Sequence, residues 1–193
     1  MMVAPTQARE DLERRVTTLR RRLADPDFLA NRGLGNEVGI YTLCYDPALE
    51  LYARDLLASI ASDDGLPCRV VEHNLYDIAL ARLEARRLLA KMPAMERKHP
   101  SSWVMRQMDK VCPASMYARA IADVPREPGD VILITGIGEI YPFLRLHSLL
   151  DNIQPLVRDV PVVAAYPGRF DGKTLRLFGR LEDENYYRAF DLV

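Results

Sequence analysis

No apolar run in these 193 residues comes near the roughly 20 residues needed to cross a bilayer, so a membrane-spanning helix is excluded. Residues 1–22 carry a charge every few positions and hold no apolar core segment, which excludes a secretory signal. Cysteine is sparse. The three present (Cys44, Cys68, Cys112) are odd in number, far apart and without C-x-x-C spacing. They form neither a disulfide framework nor a thiolate zinc site, and a reducing cytoplasm is the expected compartment. The three histidines (His73, His99, His147) share no spacing with each other or with cysteine. No serine sits in a G-x-S-x-G elbow, so no hydrolytic nucleophile announces itself. Internal repeats and low-complexity tracts are absent. An excess of one charge is absent too: 26 Lys and Arg face 27 Asp and Glu, giving a net charge of -1. The pI near 6.3 gives no global pull toward nucleic acid, and direct DNA binding is not expected.

What is there is ordinary globular composition, 49% hydrophobic and 27% charged. The length suits one well-cored domain, taken here as residues 1–193. Residues 7–24 read as an amphipathic helix. Leu12, Val16, Leu19 and Leu23 recur on one face, and Arg14, Arg15, Arg20, Arg21 and Arg22 occupy the other. The arginines form a solvated face over a packed stripe, or alternatively a docking face for a partner protein or a nucleic-acid backbone. Asp25-Pro26 ends this helix, because the residue before proline is pushed out of the helical region. Residues 1–30 thus make an N-terminal helical extension.

A turn-rich joint at residues 31–37 leads into an α/β rhythm. Residues 38–45 (VGIYTLCY) read as a strand, and Asp46-Pro47 as N-cap and first helical position. A helix over 49–60 and a short strand over 68–72 follow, then a long helix from about 74 to 92. Pro93 and residues 96–100 predict a loop. A helical stretch to 122, broken at Pro113, completes a helical insertion over 93–122. Residues 131–135 and 160–166 read as buried strands, with a mostly helical segment at 141–157 between them. Residues 174–181 alternate leucine or phenylalanine with arginine, the period of a half-exposed edge strand. The last residues, 185–193, are expected to tuck Tyr186, Tyr187 and Phe190 into the body. Strands alternating with helices predict an α/β fold whose mostly parallel sheet is flanked by helices.

Two glycine-rich segments resemble phosphate loops, and both fail on context. At Thr135-Gly136-Ile137-Gly138-Glu139, a dinucleotide fingerprint would need a third glycine where Tyr141 stands, followed here by Pro142. A P-loop would need Lys-Ser/Thr, and Glu139 would repel an approaching phosphate. The segment reads as a tight architectural turn, or alternatively as a degenerate anion site. Gly168-Arg169-Phe170-Asp171-Gly172-Lys173-Thr174 is one residue short of a Walker A loop. It precedes a strand-like pattern rather than a helix, so a hairpin turn is the expectation. No cofactor is expected at either place.

Open α/β sheets gather functional groups beyond the carboxyl ends of their strands. Those ends carry Asp46, Asn74, Tyr76, Asp77, Glu139, Tyr141, Arg145 and Arg169. Such a rim suits a small-molecule cleft or a protein-docking surface, since tyrosine and arginine are favoured at interfaces. Asp46, Asn74 and Asp77 are equally good helix caps.

Several separated motifs, from 28 to 190, together resemble one family. They are Phe28-Leu29-Ala30-Asn31-Arg32-Gly33-Leu34-Gly35-Asn36-Glu37, Asn74-Leu75-Tyr76-Asp77, and Gly129-Asp130 with Thr135-Gly136-Ile137-Gly138-Glu139-Ile140-Tyr141-Pro142-Phe143-Leu144-Arg145. Pro161-Val162-Val163, Tyr166-Pro167-Gly168, Asp171-Gly172, Leu175-Arg176-Leu177-Phe178-Gly179 and Asn185-Tyr186-Tyr187-Arg188-Ala189-Phe190 continue the series. The pattern is similar to the BrxB family of bacterial BREX anti-phage systems. The resemblance implies a nucleotide-binding type of α/β fold without a working phosphate loop. It also implies a non-catalytic adaptor that binds another BREX protein, above all the alkaline-phosphatase-like PglZ. No catalytic residue, cofactor or metal ligand is carried over. The alternative is a nucleotide- or anion-responsive module built on the degenerate turn.

Overall fold

In the structure, a computed structural model, the described residues are 5–31, 39–171, 174–182 and 190–192. The parts of the joint and tail at 32–37 and 185–189, with Tyr186 and Tyr187, lie outside them. So do Gly172 and Lys173 of the Walker-like segment.

Strand β1 (Ile40–Tyr45) is buried along its whole length. So is β3 (Val131–Thr135), whose side chains alternate between two apolar layers. Ile132 and Ile134 face one layer, and Val131 and Leu133 face the other. This is the period-two geometry of a strand covered on both sides, written in sequence as a continuous apolar run. Strand β2 (Val70–Asn74) and β4 (Val162–Phe170) complete the central sheet, with β7 (Phe190–Asp191) at one edge. The order is β2-β3-β4-β1-β7, and every pairing along it is parallel. The mostly parallel α/β architecture expected from the sequence is therefore present.

Helices cover both faces. Helix α1 (Pro5–Leu23) and α3 (Glu50–Ala61) pack with α2 (Pro26–Leu29) on one side. Leu12, Val16, Leu19 and Leu23 are all buried there, against Leu43, Val163 and Leu57. The other side is covered by α4 (Leu75–Ala85), α6 (Ser101–Val111), α7 (Ala114–Ala122) and α9 (Leu146–Ile153). The connection from β1 to β2 passes over β4 and β3 on the α3 face. The connections β2 to β3 and β3 to β4 return in the opposite direction on the other face. Reversing both direction and face keeps a single hand for all three, as crossover sterics demand.

Four boundaries differ from expectation. The helix expected to reach residue 92 stops at Ala85. Arg87 adopts a left-handed φ of 56°, Arg87 N–H donates to the Glu84 carbonyl, and Leu88 N–H donates to the Leu83 carbonyl. This is a Schellman ending, made without the glycine that usually signals it. The loop expected around Pro93 is instead α5 (Met92–Lys98), because proline in a first turn loses no hydrogen bond. The helix expected from 141 starts only at Leu146. Pro142 forces Tyr141 into an extended conformation and ends the single-turn α8 (Ile137–Ile140). Finally, β4 runs past the sheet to Phe170 and turns back through β5 (Leu175–Leu177) in antiparallel pairing, and β5 then pairs with β6 (Leu181–Glu182). The expected hairpin is realised, but the alternating strand expected over 174–181 holds only at 175–177, where Leu175 and Leu177 are buried and Arg176 is exposed. The chain turns at 178–180, with Phe178 and Gly179 at positive φ.

Candidate functional site

The parallel sheet brings the carboxyl ends of β1, β2, β3 and β4 to one edge. A cleft of about 510 Å³ opens there beyond β1 and β4. Its walls are Cys44, Tyr45 and Asp46 from β1, Gly168, Arg169 and Phe170 from β4, Asp191 from β7, and the polar face of α1. Strands β1 and β4 are where the first strand meets the last of the returning series, the reversal at which open α/β sheets form their crevices.

Helix α1 contributes Gln7, Glu10, Asp11, Arg14 and Arg15 to this cleft. Sequence reading placed Arg14 and Arg15 on a solvated or docking face and did not join them to the cleft. The i, i+3 and i, i+4 spacing of Asp11 with Arg14 and Arg15 signalled only their pairing along the helix. Both pairs form, with Arg15 Nε donating to Asp11 Oδ2 at 2.9 Å. Arg15 Nη1 also reaches Asp191 Oδ1 at 3.5 Å. Elsewhere on the helix, Arg20 pairs with Asp63, and Arg9 pairs with Glu13 and lies over the Tyr52 ring. Most of this face is thus neutralised by the chain's own acids. Arg169, from β4, makes no ion pair with any described residue.

The eight expected rim residues fall into four groups. Asp46 and Arg169 share the cleft. Asp46 also accepts a hydrogen bond from Ala48 N–H at 3.0 Å, so it caps the turn it opens. Asn74 caps α4 by accepting from the N–H groups of Tyr76 (2.9 Å) and Asp77 (3.2 Å), leaving Tyr76 and Asp77 exposed at the β2 end. Glu139 pairs with Arg54 of α3. Tyr141 and Arg145 line a separate narrow notch with Tyr166 and Leu177, and the Tyr141 ring meets Phe178 edge-on at 6.0 Å. The rim is therefore a chain of local clusters along one edge.

Three glycines of the edge are tightly filled. Gly136 has a left-handed φ of 72°, and a Cβ there would lie 2.5 Å from Asn74 Oδ1. A Cβ on Gly138 would meet Pro167 at 2.9 Å and Phe178 at 3.1 Å. One on Gly168 would lie 2.2 Å from the Arg176 carbonyl oxygen. In a phosphate loop, glycine leaves room for a ligand. Here the chain's own atoms occupy that room. Beneath the turn, Thr135 Oγ1 donates to Glu72 Oε1 at 2.7 Å, tying β3 to β2. After β1, the strand that faces the cleft, the chain reads Tyr45-Asp46-Pro47-Ala48-Leu49 and presents no glycine loop.

Burial sets the electrostatics of the cleft floor. It pushes the Tyr45 hydroxyl well above its ordinary value, reinforced by Glu50, to which the hydroxyl donates at 2.8 Å. Burial, with Asp191 nearby, pushes the Cys44 thiol up to about 12, so it stays protonated and unreactive near neutrality. At the opposite edge, Arg69 donates to Asp130 and holds its carboxyl below the usual carboxylate range. Glu127 N–H donates to the same carboxylate at 2.7 Å. Asp130 is thus a structural latch at the start of β3. Among the described residues, no three of the His, Cys, Asp and Glu side chains group as metal ligands, and no helix is long and apolar enough to cross a membrane.

Fold and edge define an α/β protein with a parallel sheet, a polar cleft at its carboxyl edge, and glycine turns closed by its own side chains. The family model described as "BREX protein BrxB" matches residues 71–192, more than half of the chain. A "BREX protein BrxB" of Bacillus cereus (strain H3081.97) is 35% identical over 180 residues, covering 89% of this chain and 92% of the relative. A second, from Escherichia coli O9:H4 (strain HS), is 29% identical over 187 residues, covering 94% and 92%. The chain belongs to the BrxB family. It is a BREX-system protein, and its role lies in phage defence. No solved structure matches it.

Proposed function

We propose that the chain is a non-catalytic adaptor of a BREX complex, working in the cytoplasm and binding another BREX protein, with the phosphatase-like PglZ as its partner. The observation that supports this reading is the filling of the glycine turns. The space a phosphate would need at Gly136, Gly138 and Gly168 is held by Asn74, Pro167, Phe178 and the Arg176 carbonyl. Glu139 is held at the same turn by Arg54. A surface built this way presents fixed shape and polar groups, which suits recognition of a folded partner. The rim of Asp46, Asn74, Tyr76, Asp77, Glu139, Tyr141, Arg145 and Arg169 is the proposed contact. Affinity purification of the chain from cells expressing the whole operon tests this. Recovery of PglZ, lost in Arg145→Glu or Arg169→Glu, is expected. Recovery of the chain alone overturns the adaptor reading.

The cleft favours a second reading, a nucleotide- or anion-responsive module. Arg14, Arg15 and Arg169 line about 510 Å³ of polar space at the sheet reversal. A ligand binding only the folded state raises stability by roughly 2.7 kcal/mol at a hundredfold excess over its dissociation constant. Thermal melts with ATP, GTP and inorganic phosphate, with and without Mg²⁺, check it. A flat series rejects this second reading.

A further inference from the structure

The helices between β2 and β3 carry a groove of a different kind. It lies between α4, α5 and α6, with a volume of about 90 Å³, and its walls include Leu83, Leu88, Met92, Met95, Trp103 and Met108. Val104 and Met108 are buried and form its floor, while Met92, Met95, Trp103 and Gln107 are only half-buried at its lip. A wall rich in methionine adapts to irregular aliphatic surfaces and is a common feature of protein-binding grooves.

Charge around this groove is one-sided. Residues 82–111 hold eight Lys and Arg against three Asp and Glu, although the whole chain holds 26 against 27. Arg86, Arg87, Lys91, Arg97, Lys98 and Arg106 are all exposed, and none forms an ion pair or side-chain hydrogen bond with a described residue. On α1, by comparison, Arg9, Arg14, Arg15 and Arg20 have acidic partners, and only Arg21 and Arg22 form no ion pair with a described residue. These basic groups belong to the same segments that build the groove, and they are left without ion-pair partners among the described residues.

We propose that this groove is a second docking surface, one that takes an acidic amphipathic segment of another BREX protein. The segment inserts aliphatic side chains, spaced as on a helix face, between Met95 and Trp103, and its carboxylates meet the surrounding lysines and arginines. Helix-in-groove recognition supplies apolar anchors at i, i+3 or i+4, and complementary charge speeds encounter and fixes register. Nucleic acid would use the same positive field but needs open aromatic faces for its bases. Here the lining is aliphatic and thioether, and one face of Trp103 is covered by the His99 ring, stacked at 3.9 Å. This inference rests on the adaptor reading and adds a surface on the α4–α6 side of the sheet.

A photo-crosslinking amino acid at Met95 or Gln107, in cells expressing the whole operon, tests it. The expected product joins the chain to a different operon protein, within a segment whose acidic residues outnumber its basic ones. The double variant Lys91→Glu/Lys98→Glu and the single variant Met95→Glu should each lower recovery of that protein at least tenfold, and the double variant, at exposed positions, should leave the melting temperature unchanged. A cross-link to DNA or to a second copy of the chain overturns the proposal, as does undiminished recovery with both variants. If the wild-type chain recovers no operon protein, the adaptor reading itself fails and takes this surface with it.

Discussion

At the carboxyl edge of the sheet, most charges have partners; on the α4–α6 face, they do not. Arg54 holds Glu139, Asp11 holds Arg14 and Arg15, and Asn74 and Asp46 are spent on caps. The helical face instead keeps Lys91, Arg97, Lys98 and Arg106 exposed beside an open apolar groove. Paired groups rigidify an edge and hold its shape. Solvated, unpaired charges beside apolar surface are open to complementary charges on another molecule, and the apolar surface gains from being covered. A polar, self-completed edge and a basic, incomplete face are what a protein bridging two others would present.

The contrast can be broken by substitutions at each region. Gly168→Ala should have the largest effect. Its Cβ would collide with a backbone carbonyl that cannot swing aside, and overpacking of this kind costs about 3 kcal/mol. Urea denaturation measures it, and a loss below about 1 kcal/mol would show that the edge gives way more easily than its geometry implies. Asn74→Ala comes next, at about 1 kcal/mol, because it removes the cap shared by the Tyr76 and Asp77 N–H groups. On the helical face, Met95→Glu should cost about 1 kcal/mol, because Met95 is half-buried and roughly half of its apolar burial is lost. Arg54→Ala should cost a smaller amount, about 0.5 kcal/mol, because its pair with Glu139 is partly solvated.

Acid sharpens the comparison from the β2 side of the sheet. Burial holds His73 below its ordinary value of 6.5, and its Nε2 has no hydrogen-bond partner. As pH falls through 6.5, the unfolded chain takes a proton that the folded chain refuses. Stability should therefore fall on acidification from neutrality, down to the lowered folded value. Asp130 adds a second loss as pH drops below 3.8, because its folded value is depressed by Arg69. Urea midpoints from pH 8 to pH 5 should decline, and His73→Leu should flatten that decline.

Much of the core was readable from local pattern. The apolar runs at 131–135 and 160–166 became β3 and β4, and the leucine stripe of α1 is buried as its spacing requires. The strand after the Walker-like segment was legible at 175–177, because leucine–arginine alternation spelled it. Helix ends were read less well. Arg87 closes α4 in a left-handed conformation with no glycine to announce it, and Pro93 sits harmlessly inside a first turn. Of the edge residues, Asp46 and Arg169 share one cleft, but Arg145 and Tyr141 belong to another notch. The α1 wall of the cleft was out of reach, since nothing local says which strand end a polar helix face will meet.

By itself, then, the sequence determined the α/β class and the BrxB family, because periodicity and motif spacing are local properties. Tertiary structure alone decided the order β2-β3-β4-β1-β7, and with it which strand ends share an edge. It also decided that Asn74, Pro167 and Phe178 fill the glycine turns, and that Arg9, Arg14, Arg15 and Arg20 of α1 find acids while Lys91, Arg97 and Lys98 do not among the described residues. The physical reason is that pairing and filling depend on groups far apart in the chain, and only the crossovers of the folded sheet bring them together.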